Sequence, residues 1–330
     1  MKNIMTEMEA SSNKIDIVYT YVDGNDPDFI KNLNRYKQQN TDDILPTNNP
    51  KLRYESVDEI LYSLRSIFKF APFVNKVFII TYNQKPNYES TIEKHFPERL
   101  NDIRIIDHKD LFGEYPEIYP TFNSITIESF LWKISELSEN FVYFNDDTFL
   151  IKPITYNEWF NEKGPINLGK WKLGKISRYN KFQKYINKGL TLPMNYTYLQ
   201  YRGARLLGFE YLFFYLNHTP KPFSKSLLKQ AFQMKKEIIL KNAANRFRVS
   251  DSFTAITYYV AAQIKIGKTS TRFEKELYID FSIDNPSYLK KKIKQLKNNK
   301  SKKYLCLQSL SESNQSIIKE VESILEEKLN

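Results

Sequence analysis

Apolar residues in the first half of the chain come in short unbroken runs, and amphipathic stretches separate them. Ile15 to Val22 (IDIVYTYV) is β-branched and aromatic over eight residues, which predicts a buried strand. It runs into Asp23-Gly24-Asn25-Asp26-Pro27, a dense turn signal. Residues 35–50 are polar and carry Asn-Asn-Pro, so they read as a loop. Ser56 with Glu59 three residues on forms a capping box. In the helix it opens, Ile60, Leu61, Leu64, Ile67 and Phe68 share one face. Asn75 to Tyr82 and residues 103–107 predict two more strands. Asn123 to Ser138 predicts a helix with Ile127, Phe130, Leu131 and Ile134 on its core side. Asn140 to Ile151 predicts a fourth strand, interrupted by two acids. Strands that alternate with helices predict a mostly parallel sheet covered on both faces.

Beyond about residue 165 the strand pattern fades. Helical periodicity appears near 203–217, 224–244 and 251–266, then a Lys-rich segment at 286–304 and an amphipathic helix at 310–328. The expected organisation is an α/β core over 14–165, a helical lobe over 166–285, and a basic segment with a final helix over 286–330. The 15% aromatic content belongs to a folded chain. The single cysteine, Cys306, leaves no disulfide framework within the chain, which fits a reducing compartment. The first 13 residues lack an apolar signal-peptide core, and no stretch approaches the length of a membrane span. The expectation is a cytoplasmic protein, with peripheral attachment to a membrane surface left open.

Charge adds an anionic partner to this picture. The net charge is +11. From Lys163 to Phe209 there are ten Lys or Arg and no acid, and from Asn285 to Tyr304 eight Lys and no acid. Such a field attracts nucleotides, acidic polymers, lipids or nucleic acid, although a lysine run is more often a solvated helix face.

The most pointed chemical feature is Asn145-Asp146-Asp147, which breaks an apolar run. Two carboxylates there are costly to bury unpaired. In open α/β sheets, ligands bind outside the carboxyl ends of the strands, and paired acids there can hold a divalent ion that bridges diphosphate oxygens. The plain alternative is a polar β-turn. Asp23-Gly24-Asn25 stands at the matching end of the first strand, where Gly24 would let backbone approach a ligand. His218 is the histidine suited to acid–base work; His95 and His108 read as structural. Arg246, Arg248 and Asp251 form a cluster suited to a diphosphate, and equally to a helix N-terminus capped by Ser250 or Asp251. A Walker A loop, GxGxxG, paired CxxC motifs and GxSxG are all absent, which counts against P-loop kinases, dinucleotide dehydrogenases, zinc modules and serine hydrolases.

These residues carry a family resemblance. Ile15 through Pro27 resembles the first of the four conserved regions of the Stealth proteins. These are bacterial capsular polysaccharide phosphotransferases, related to the animal lysosomal-enzyme N-acetylglucosamine phosphotransferase. Arg53-Tyr-Glu-Ser-Val-Asp-Glu59 with Ser63-Leu-Arg-Ser66, Phe122-Asn-Ser124, Glu128 and Tyr143-Phe-Asn-Asp-Asp147 resemble the second. His218-Thr-Pro220 with Phe223, and Phe247-Arg248 with Asp251, resemble the third. Tyr304-Leu-Cys306 followed by a helix is similar to the fourth. Ile125 stands where many members have His, and Leu307-Gln308-Ser309 where the family usually has an Asn-Asp pair.

The resemblance implies a Rossmann-like (GT-A-like) mostly parallel sheet flanked by helices, with the helical lobe appended. It implies transfer of hexose-1-phosphate, and of N-acetylhexosamine-1-phosphate above all, from a UDP-sugar to a sugar hydroxyl, with release of UMP. Asp146 and Asp147 would hold Mg2+ or Mn2+. His218 would be the base, Arg248 would stabilise charge on the phosphoryl group, and Asp251 would orient the base or bind the acceptor. Tyr21, Val22, Asp23, Gly24, Asn25, Arg53, Asn123, Glu128 and Asn145 would contact substrate. The basic tracts would hold an anionic polysaccharide acceptor, and no nucleic-acid partner is expected. The alternatives are a GT-A glycosyltransferase that releases UDP and a basic nucleic-acid-binding module, the latter opposed by the acid-bearing apolar strand.

Overall fold

A computed structural model of the chain describes residues 14–39, 54, 57–174 and 196–330. Its strands are β1 (Ile15–Thr20), β2 (Val74–Thr81), β3 (Ile103–Asp107), β4 (Asn140–Asn145), β5 (Thr148–Leu150), β6 (Phe160–Asn161), β7 (Gly164–Leu173), β8 (Leu212–Leu216), β9 (Lys221–Ser224), β10 (Ser270–Arg272), β11 (Leu277–Asp280) and β12 (Tyr304–Gln308). Its helices are α1 (Pro27–Gln39), α2 (Glu59–Phe70), α3 (Glu89–His95), α4 (His108–Phe112), α5 (Ser124–Glu128), α6 (Tyr196–Arg205), α7 (Lys225–Met234), α8 (Lys236–Ala243), α9 (Ala255–Lys265), α10 (Pro286–Lys297) and α11 (Gln315–Leu329).

The first sheet has the order β3-β2-β1-β4-β9. β1 to β4 run parallel, and β9 closes one edge antiparallel to β4. The mostly parallel α/β architecture expected from the alternation is therefore present. Both faces of this sheet are buried, and the period-two alternation sorts the side chains. Ile15, Ile17 and Tyr19 meet Ile60, Leu64 and Ile67 of α2 on one side, while Val18, Phe141 and Tyr143 join α7 and α9 on the other. Asp16 is an acid inside β1 with no solvent exposure. Its carboxylate accepts from the Asn75 side chain and from the backbone N–H groups of Lys76 and Ser138, at 2.7–3.0 Å. Those bonds answer the desolvation cost and tie three segments together at the amino end of the sheet.

Two expectations are corrected here. The helix expected over Asn123–Ser138 is the five-residue α5 followed by a 3-10 turn at Leu131–Lys133. The Ser129 carbonyl is taken by the Tyr259 hydroxyl at 2.7 Å, the Ser129 hydroxyl folds back onto the Ile125 carbonyl, and the Lys133 N–H turns to Phe130. The ladder therefore ends in one tertiary bond and two local ones. The helix expected near 203–217 is α6 and then the strand β8, which pairs with β7. Burial of Phe213, Phe214 and Leu216 decides that segment against its helical spacing. The capping box placed on Ser56 lies outside the described residues.

The predicted strand over Asn140–Ile151 is divided. β4 ends at Asn145, Asp146 and Asp147 turn, and β5 leaves for a different sheet of order β11-β12-β5. Leu307 N–H donates to the Asp147 carbonyl at 3.0 Å, so β12 holds the turn from behind. The last helix, α11, packs on α2, where the Glu326 carboxylate receives both guanidinium arms of the nearly buried Arg65. Among the described residues, no helix is long and apolar enough to cross a membrane.

After β1 the chain turns at Gly24, whose N–H donates to the Tyr54 carbonyl at 2.7 Å. A Cβ at this position would lie 2.2 Å from that oxygen. The glycine is required by this backbone crossing. Gly24→Ala is expected to destabilise the fold by about 1–3 kcal/mol, as overpacking does, read as a lower denaturant midpoint.

Candidate active site

A cavity of about 360 Å³ opens at the carboxyl ends of β1 and β4. Asp146 and Asp147 line it, with Asn145, Tyr21, Val22, Glu128, His218 and Arg248. Of the residues expected to form a site, these eight are brought together. The other described ones stand apart from the lining. Asp23 and Asn25 are engaged with each other and with Gln84: the Asp23 carboxylate accepts from Asn25 N–H at 2.8 Å, and Gln84 bridges the Asp23 backbone. Gly24 is committed to Tyr54. Asn123 is fully buried, caps α5, and donates to the carbonyls of Asn245 and Phe247. Asp251 is exposed on a turn, and Arg246 bonds the carbonyls of Glu117 and Pro120. Arg53 lies outside the described residues.

The acids carry the electrostatics of the cavity. Burial pushes the Asp146 carboxyl well above the usual carboxylate range, and the negative charges of Asp147 and Glu59 push it further. Burial and Glu59 raise Asp147 to about 6, against a Cys306 thiol at 3.6 Å, a Thr148 hydroxyl at 3.3 Å and the charge of Lys221. The charges of Asp147 and Glu59 thus act on Asp146, and that of Glu59 on Asp147. Mg2+ at phosphate sites takes one or two carboxylates and fills its remaining positions with substrate oxygens and water. The adjacent Asp146 and Asp147 carboxylates fit such an ion. No group of three or more His, Cys, Asp and Glu side chains placed to hold a metal occurs among the described residues.

Cations line the same cavity. Arg248 donates to the Ser124 hydroxyl at 3.0 Å. Lys221, at the first residue of β9, is only 8% exposed, and its ammonium donates to the Thr219 carbonyl at 2.7 Å. Burial lowers its pKa, and the acids Glu128 and Asp147 act against that. His218 lies between the rings of Tyr196 and Tyr278, with centroids at 5.6 and 5.0 Å, and its backbone N–H donates to the Glu276 carboxylate at 3.2 Å. Burial first, then the charge of Lys221, lowers its imidazole to about 4. The ring is neutral at pH 7 and keeps a lone pair to accept a proton.

Sequence reasoning missed Lys221, Gln308, Tyr196 and His108, all of which line the cavity. A usable signal for Lys221 was its place three residues after His218, inside Pro220-Lys-Pro222. For Gln308 it was its place at the end of an apolar strand. Nothing in the sequence marks Tyr196.

Paired acids at the carboxyl end of a parallel sheet share one cavity with a lysine, an arginine and a neutral histidine, and this cavity is the candidate active site. The family model of Stealth protein conserved region 1 matches residues 13–41, and that of conserved region 2 matches residues 53–168. The chain is 30% identical over 309 residues to the capsular polysaccharide phosphotransferase fcs1 of Haemophilus influenzae, covering 91% of this chain and 79% of that protein. It is 30% identical over 250 residues to the capsular polysaccharide phosphotransferase LcbA of Aeromonas hydrophila, covering 74% of this chain and 64% of that protein. Among solved structures it is similar to the galactosyltransferase LgtC in complex with donor and acceptor sugar analogs, at 11% identity and a TM-score of 0.43, over 94% of this chain and 96% of that one. The chain belongs to the Stealth family.

Proposed function

We propose that this protein is a capsular polysaccharide phosphotransferase. It moves hexose-1-phosphate, with N-acetylhexosamine-1-phosphate the preferred group, from a UDP-sugar to a sugar hydroxyl, so that UMP leaves and a phosphodiester forms. The observation that carries this reading is the meeting of Asp146 and Asp147 with Lys221, Arg248 and His218 in one cavity, in a chain related to named capsular polysaccharide phosphotransferases.

Attack of the acceptor oxygen on the β-phosphorus spreads negative charge over the phosphoryl oxygens, and fixed cations stabilise it best in a water-poor site. Lys221 and Arg248 are the side chains suited to that charge. His218, held neutral, takes the acceptor's hydroxyl proton on its free ring nitrogen as the new P–O bond forms. The bond from the β-phosphorus to the bridging oxygen breaks, and its electron pair leaves with UMP. Asp146 and Asp147 would hold Mg2+ or Mn2+, which when bound supplies Lewis-acid charge to the diphosphate. Exposed lysines of α10 offer a track for an anionic polysaccharide acceptor.

Incubation with a panel of nucleotide sugars and short acceptors, followed by phosphorus NMR and analysis of the nucleotide released, tests the reading. The expected products are UMP and a phosphodiester-linked sugar. Release of UDP in a productive reaction would establish glycosyl transfer in its place.

A further inference from the structure

The cavity has a second end, unlike the first. Phe29, Tyr54, Tyr82 and Phe122 line it and pack edge to face in a chain from Phe29 to Tyr54, Phe29 to Phe122 and Phe122 to Tyr82. His108 belongs to this end. It also lines the cavity, and its ring stacks on Tyr82 with a 6.0 Å centroid separation and a 28° interplanar angle.

His108 is 4% exposed, and both of its ring nitrogens are buried without a hydrogen-bond partner among the described residues. Thr81 pairs in register with Asp107, the residue before His108, and its hydroxyl is likewise buried without a partner. A buried polar group left unanswered costs on the order of 1–3 kcal/mol, and native folds carry few of them. An aromatic ring of similar size would fill the same space without that cost. The described residues of the protein itself do not offset that penalty.

The chemistry of the missing partner follows from the surroundings. Aromatic walls suit a flat π ring. Burial lowers the His108 imidazole to about 4, so the ring is uncharged at neutral pH and offers one N–H and one lone pair. That is the wrong equipment for a phosphate and the right equipment for the polar edge of a nucleobase. The charged groups that suit a diphosphate lie at the other end.

We propose that His108 is a specificity-determining residue that hydrogen-bonds the edge of the donor's uracil ring, seated among Phe29, Tyr54, Tyr82 and Phe122. The proposal rests on the nucleotide-sugar reading above. It also accounts for a histidine that its sequence context marks as structural.

The test is calorimetric titration of the full chain with UMP, paired with thermal unfolding without ligand, for the wild type and His108→Phe. The expected result is roughly 5–50-fold weaker UMP binding in the variant, the loss of one buried hydrogen bond, with a ligand-free melting temperature equal to or above that of the wild type. UMP affinity equal to that of the wild type overturns the assignment of His108 and leaves the nucleotide-sugar reading standing. A lower ligand-free melting temperature, or failure to fold, also overturns it, because the ring would then be answering a need of the fold itself. A wild type that binds no UMP sinks the nucleotide-sugar reading, and this proposal with it.

Discussion

Asp147→Asn is expected to abolish transfer, with a loss of more than about three orders of magnitude in turnover, while leaving the fold intact. The amide keeps the shape of the carboxyl; its one oxygen accepts from Thr148 or Cys306, and its NH2 donates to the other, so packing is preserved. What it removes is a negative charge beside Asp146 and Glu59. Full activity in the variant would remove the acids from the mechanism.

The same variant has a stability signature of fixed sign. The folded protein holds Asp147 at about 6, above its unfolded value. The folded state therefore binds more protons than the unfolded state between those values, and this group's contribution to stability falls as pH rises through the window. At pH 7–8, without a divalent ion, Asp147→Asn should be more stable than the wild type by on the order of 1–3 kcal/mol, with water in the cavity favouring the lower end. The advantage should vanish below about pH 4. Thermal unfolding in chelator at several pH values measures it. A variant less stable than the wild type at pH 8 would show that Asp147 is compensated in the free protein.

His218→Ala is expected to lower the transfer rate by about two to four orders of magnitude, the span of a lost general base, equivalent to roughly 3–5 kcal/mol of barrier. Binding of the nucleotide sugar should change little, so the effect belongs in kcat. Tenfold or less would mark His218 as a packing residue between Tyr196 and Tyr278. pH provides a second check. The folded protein depresses the His218 imidazole to about 4, so its contribution to stability is present above the ordinary histidine value and is lost as pH falls toward 4. The variant should lose that part of the acid sensitivity.

How far the site was legible depended on where its residues sit relative to strand ends. Asp146 and Asp147 could be read because two acids inside an apolar run have few places to go. Tyr21 and Val22 came with the family resemblance, and Arg248 from its cluster. Asp23, Gly24 and Asn25 lie apart from the cavity lining, and a ligand loop and a turn that satisfies its own backbone share one composition. Only coordinates show that Gly24 makes room for Tyr54. Asn123 lies apart too, and in sequence a buried amide cap resembles a substrate-binding amide. Lys221 was hidden because its burial is a tertiary fact: it depends on β9 returning to the edge of the first sheet. β8 was missed because alternation in Phe213-Phe214-Tyr215-Leu216 is weak, and pairing with β7 decides it. α5 was read too long because one of the bonds that end it comes from α9, far along the chain.

The turn at Asp146-Asp147 is the joint between two sheets, and this divides labour along the polypeptide. The residues that perform the proposed chemistry are all in place by Arg248, yet the strand that backs the turn arrives only at Tyr304–Gln308, and α11 then fastens it to α2. A fragment ending at residue 285 would carry each of those chemical groups and lack the brace beneath two of them. Its acids would hang from a β5 strand with no neighbour in its sheet. The last 45 residues, which line the cavity only through Gln308, work as a keystone. Engineering of chain length or tags at that end is, in effect, engineering of the acids proposed to act in catalysis.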